Sequence, residues 1–173
     1  MLIQIITHTP AWVFALLALL AWLGGRQTRA GSAHLYRVVG MPLAMVGLAV
    51  YGVVSAFGAS SAGGLALACW AAAAAATVVV VSRLSLDAAV RYDAAARRFF
   101  LPGSWVPLAL MMAIFGTKYA VGVTLAFHPE WARQAGFATG ISTAYGLFSG
   151  VFAGRALRLW KLALQHRQAL AAV

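Results

Sequence analysis

Lys118 is the residue best placed to do chemistry in this chain. It stands inside AIFGTKYAVGV, a stretch otherwise free of charge. A charged group at the centre of a bilayer costs about 2.5–3.5 kcal/mol on insertion scales. The chain has three acids, Asp87, Asp93 and Glu130, and each lies outside the long apolar runs. Four outcomes stay open for the amine. It is neutral, or charged and bonded to hydroxyls and carbonyls. Or it faces water or an anionic ligand, or it meets a carboxylate on another subunit. Hydroxyls at similar depth are Tyr51, Ser142, Thr143 and Tyr145. Thr117 and Tyr119 flank the lysine, although successive helical residues point in different directions. Lys118, Tyr51, Tyr119, Thr143 and Tyr145 form the candidate ligand-binding set. The plainer alternative is a structural polar contact between helices.

Other reactive side chains are sparse. His8, in Thr-His-Thr-Pro, and His128 fall on the same expected side of the membrane. Together they could offer two ligands to a metal or a haem, whereas interfacial or capping histidines are the simpler reading. Cys69 is a lone cysteine in an apolar run. It can form no intrachain disulfide, and a small buried hydrophobe is its usual role. There are no paired carboxylates, nucleophile elbow, phosphate loop or HExxH pattern. No cofactor or metal is expected, and an enzyme is the less favoured class.

The elements that must position these residues are apolar helices. Of 173 residues, 63% are hydrophobic and 9% charged, with mean hydropathy +0.86. Soluble domains carry about 25% charged residues. A helix needs about 20 apolar residues to cross the hydrocarbon. Five stretches qualify, at about 3–24, 38–58, 64–82, 104–127 and 135–154. They are continuous rather than alternating, which disfavours a barrel. The N-terminal stretch has no positive residues before it, so it reads as a retained helix rather than a signal peptide. The expectation is an all-α bundle of five transmembrane helices forming one membrane domain over 1–173.

Charge fixes the expected orientation. Arg26, Arg29, Arg37, Arg83, Arg91, Arg97, Arg98, Arg155, Arg158, Lys161 and Arg167 occupy alternate connectors and the tail, 11 of the 13 basic residues. The positive-inside rule puts them in the cytoplasm, with the N-terminus outside. Trp22, Trp105 and Trp160 then fall at the inner boundary, and Trp12, Trp70 and Trp131 toward the outer one, as interfacial tryptophans do. The net charge of +10 is thus explained by topology. No basic soluble domain is present, so nucleic acid is excluded as a partner.

Local features refine this layout. Pro10 suits a first helical turn with Thr9 as a cap, and Ser104 suits the cap of the fourth span. In the 83–103 connector, Asp93 and Arg97 could pair on a short helix; equally, Asp-Ala-Ala-Ala could turn between VRY and RFF. The basic tail, 155–173, continues the fifth helix, with Leu157, Trp160 and Leu164 on one side. It either lies along the anionic inner leaflet or runs into water. Gly146, Gly150 and Gly154 allow close approach of a neighbouring helix within the chain, in a homo-oligomer or in a membrane partner.

HTPAWVFALLALLAWLG, RYDAAARRFFLPGSW and IFGTKYAVGV together resemble a family of small inner-membrane proteins of Gram-negative bacteria, classed as a domain of unknown function. The resemblance runs from His8 to about Gly122. It implies the topology and location above and supplies no catalytic residues. The middle segment also looks distantly like the CcdC-type membrane proteins, whose role is not carried over. The expected function is binding of a lipid-like or anionic ligand, or a membrane partner, through a polar pocket around Lys118. Two alternatives are a small permease or channel with Lys118 lining the path, and a membrane enzyme acting on a lipidic substrate.

Overall fold

The computed structural model describes residues 9–58, 61–93, 96 and 98–171. Among these residues, α1 is Ala11–Gln27, β1 Gly31–His34, α2 Leu35–Phe57 and α3 Gly63–Arg83. Strands β2, Arg91–Asp93, and β3, Arg98–Leu101, follow. Helix α4 is Val106–Phe127, a 3₁₀ turn covers Pro129–Arg133, and α5 is Ala135–Ala171. A helix thus lies on each of the five apolar stretches. The all-α expectation is corrected by a three-stranded sheet in the order β1-β3-β2. Length and composition alone qualify two of the helices as membrane-crossing, α3 and α4. Of the others, α1 has 17 residues, and the apolar stretch of α2 is Pro42–Phe57. The 37-residue α5 carries Arg155, Arg158 and Lys161 beyond its apolar part.

The helices form two compact units, divided near Gly31, Leu101 and Pro129. The first holds α1 and α4. Gly24 lets the two helices meet closely: a Cβ there would stand 2.6 Å from Leu108 Cδ1. Ser104 N–H donates to Gln27 O at 2.9 Å, joining the end of α1 to the approach of α4. Ser104 Oγ accepts from Val106 N–H at 3.3 Å. That is close to the expected capping contact, although Trp105 occupies the cap position itself. Thr9 does not cap α1. Pro10 is at the cap, and the Thr9 hydroxyl instead meets Tyr119 Oη at 2.6 Å. Leu108 lies near the start of α4 and Tyr119 beyond its middle, so the two helices run antiparallel.

The second unit holds α2, α3, α5 and the hairpin. Successive glycines of α5 meet successive turns of α3: Gly146 meets Trp70 and Ala73, Gly150 meets Ala74 and Thr77, and Gly154 meets Val78 and Val81. The two helices therefore run in the same direction. At Gly150, a Cβ would stand 2.5 Å from Thr77 Cβ and 2.7 Å from the Ala74 carbonyl oxygen. The glycine face has its close approach supplied by α3 of the same chain. Helix α2 runs the other way. Its end packs on the start of α5 through Phe57 and Phe137, whose rings stand 6.2 Å apart at 75°. Its start, at Leu35 and Val38, packs near Leu159, Leu162 and Ala163.

In the 83–103 connector, β2 and β3 form an antiparallel pair on either side of the Asp-Ala-Ala-Ala segment, in line with the turn alternative. Tyr92 faces Phe99 and Asp93 faces Arg98 in an antiparallel pair. Asp93 Oδ1 accepts from Ala96 N–H at 3.1 Å inside the turn. A strand alternates its faces, so Tyr92 and Phe99 turn inward while Arg91, Asp93, Arg98 and Phe100 turn out. The inward pair packs on Ala163 of α5. Arg97, the other half of the helical alternative, lies outside the described residues. The tail is helical, as expected, but its buried side is Leu159, Leu162 and Ala163. Trp160 and Leu164 are exposed. The hairpin decides this, because it covers one apolar side of the tail and leaves the other open.

Candidate functional site

Lys118 lies in the middle of α4 and is exposed. Counting 3.6 residues per turn, it shares a helical stripe with Pro107, Met111, Ile114 and Val121. Its neighbours turn elsewhere. Thr117 Oγ1 donates to Ala113 O at 2.7 Å. Tyr119 points to Thr9 and stacks on Phe115, one turn back, at 6.2 Å and 5°. The first unit therefore brings Tyr119 to α1, and Lys118 to a different side of α4.

Tyr51, Thr143 and Tyr145 belong to the second unit. Tyr51 is 71% exposed on α2. Thr143 Oγ1 donates to Thr139 O at 2.8 Å, which satisfies its hydroxyl within its own helix. Tyr145 is a core residue, packed with Val53, Phe57, Ala62, Ala66 and Ala138. His128 follows the end of α4, where its N–H donates to Thr124 O at 2.8 Å. His8 lies outside the described residues. Among the described residues no three His, Cys, Asp or Glu side chains come together as a metal-ligand group.

Three polar atoms in the second unit have a state that the sequence does not show. The hydroxyl of Ser142, the indole N–H of Trp70 and Arg158 Nε are all buried with no hydrogen-bond partner. Buried polar atoms normally find partners, so each marks a place where chemistry is incomplete. Ser149 on the same helix shows the usual solution, donating to Tyr145 O at 2.8 Å. No composition signal could separate Ser142 from Ser149, since both lie in the same small-residue run. Arg158 does have other bonds. Its Nη1 donates to Leu84 O at 3.3 Å and Ser85 O at 3.0 Å, at the end of α3. These carbonyls belong to the C-cap of α3 and the residue after it, beside the negative end of a helix dipole, where a cation is favoured. One turn back, just past the fifth predicted span, burial lowers the pKa of Arg155, and the charge of Arg158 lowers it further.

No curated protein matches the chain, and no solved structure does. The likeness of the middle segment to CcdC-type proteins therefore gains no support. Over residues 1–170 the chain matches a family of unknown function, DUF6622, and it belongs to that family.

Proposed function

We propose that this protein is an integral, multi-pass protein of a bacterial inner membrane that binds a lipid-like or anionic ligand through Lys118. The N-terminus is outside and the C-terminus in the cytoplasm. Three observations support five crossings. Large apolar side chains, among them Trp12, Leu43, Val80 and Phe127, stand more than half exposed on both units, and an exposed apolar surface of this extent calls for lipid. Within each unit the helix directions are those an alternating path requires: α1 opposes α4, and α2 opposes both α3 and α5, which are parallel. The basic residues collect on one side of that path.

One observation carries the ligand reading. The amine of Lys118 belongs to a residue halfway along an apolar helix of 22 residues, and that residue is exposed although the stripe it shares includes the buried Pro107, Met111 and Val121. An ionisable group at that depth is a functional-site hypothesis by default. The test is Lys118→Met in the purified full-length protein. The variant folds and is as stable as the parent or more so, and it loses lipid or other small molecules that copurify with the parent. An unchanged complement of bound molecules removes the ligand reading. Reporter fusions at the two termini test the topology independently, and both reporting the same side removes the five-span arrangement.

A further inference from the structure

We infer that Arg155 and Arg158 form a second binding site, for the phosphate group of an anionic ligand, beside the C-terminal end of α3. The two arginines are three residues apart on α5 and so are neighbours on one side of the helix. They sit where Gly154 brings α5 against Val81, and Arg158 reaches Leu84 and Ser85 beyond it. Capping of α3 accounts for one part of Arg158 only. Nη1 is used by the two carbonyls. The opposite edge of the guanidinium carries Nε and Nη2, the pair of parallel donors that meets two oxygens of a phosphate or carboxylate. Nε on that edge is buried and has no partner.

Arg155 sharpens the argument. It is held partly buried next to a like charge, and both effects oppose its charged form. Such an arrangement normally includes an anion. Among the described residues, neither arginine forms a salt bridge with an acid of this chain. Asp87 is the acid nearest α3 in sequence, and it turns Oδ1 to Ala89 N–H at 2.9 Å. Glu130 is in the 3₁₀ turn before the start of α5, at least 20 residues from the pair. The third acid, Asp93, accepts from Ala96 N–H in the hairpin. With no acid of the described residues paired to either arginine, the anion is assigned to a source outside the chain. Two guanidinium groups recognise phosphate well, because each supplies a planar fork rather than a point charge. A phospholipid headgroup and free phosphate share this chemistry. The lipid source rests on the membrane reading above, while phosphate recognition does not depend on it or on Lys118.

The test uses the full-length protein, stripped of lipid in a neutral detergent, and reads its unfolding temperature. Phosphatidylglycerol, phosphatidylcholine and inorganic phosphate are added separately. Phosphatidylglycerol is expected to raise the temperature by about 5 °C more than phosphatidylcholine at about a hundredfold excess over Kd. Arg155→Gln abolishes that difference without lowering the unfolding temperature of the lipid-free protein. Lys118→Met retains it. Inorganic phosphate giving the full effect alone supports the site and assigns it a soluble ligand. Equal stabilisation by the two lipids with none from phosphate overturns the proposal. So does full selectivity in Arg155→Gln, and so does selectivity lost in Lys118→Met rather than in Arg155→Gln, which would assign the anion to the lysine.

Discussion

In the α2–α3–α5 group, helices approach through a row of glycines; in the α1–α4 pair Gly24 and the Ser104–Gln27 bond hold one end and a hydroxyl contact the other. The α3–α5 seam places three glycines four residues apart against small residues and backbone. A hypothetical Cβ at Gly150 meets the Ala74 carbonyl and the first carbon of Thr77, neither of which can swing aside. At Gly24 the nearest atom is the tip of Leu108, which can move in part, with the Leu108 Cα behind it at 3.0 Å. The first arrangement fixes helix spacing along most of a span. The second fixes it near one end and leaves Thr9 and Tyr119 to orient the other. The unit with the looser seam also carries Lys118. Lys118 lies on a different side of α4 from that seam, so binding there need not part the two helices.

The largest effect is expected from Phe99→Ala. This ring is fully buried between Tyr92, Ala163 and the start of α2, and its removal costs about 3–5 kcal/mol. Denaturant titration in detergent measures the loss, and limited proteolysis detects cleavage opening in the 84–103 connector. A protected connector in the variant shows that the hairpin is held by something other than this cluster. Gly150→Val comes next, at about 1–3 kcal/mol, and Gly24→Ala costs less. If Gly24→Ala is the more damaging of the two, the contrast between the seams is wrong. The smallest pair compares hydroxyls. Tyr119→Phe costs about 1 kcal/mol because it breaks the contact with Thr9. Ser142→Ala is neutral or stabilising, since it removes a buried hydroxyl that has no partner. Equal losses in these two variants indicate that Ser142 is satisfied in the folded protein.

The helices were legible because their apolar runs are continuous and their connectors carry the charge. The connector 83–103 was not, because Asp-Ala-Ala-Ala suits a helix as well as a turn. Tyr92 and Phe99 decide it by packing on Ala163, a residue some 65 positions away that no local pattern includes. The same distant contact selected the buried side of the tail, so Leu159 and Leu162 are covered rather than Trp160 and Leu164. Residue types alone suggested a polar set around Lys118. They could not show that Tyr145 packs in an apolar core, that Thr143 bonds its own helix, or that Tyr119 turns to Thr9. Arg158 was visible as one charge in a basic tail. Its attachment to the end of α3 needed the parallel course of α3 and α5.

That parallel course has a consequence for synthesis. Helix α3 leaves the ribosome early, but the glycines that complete its packing lie about 70 residues later, after α4 and the hairpin. At 5–20 residues per second the interval is about 4–14 seconds. During it, α3, with its run of six alanines at 71–76, must stay in place without the partner that fits it. The wait makes α3, like α1 before α4 is made, a segment of the nascent chain that depends on a chaperone or insertase until its partner arrives.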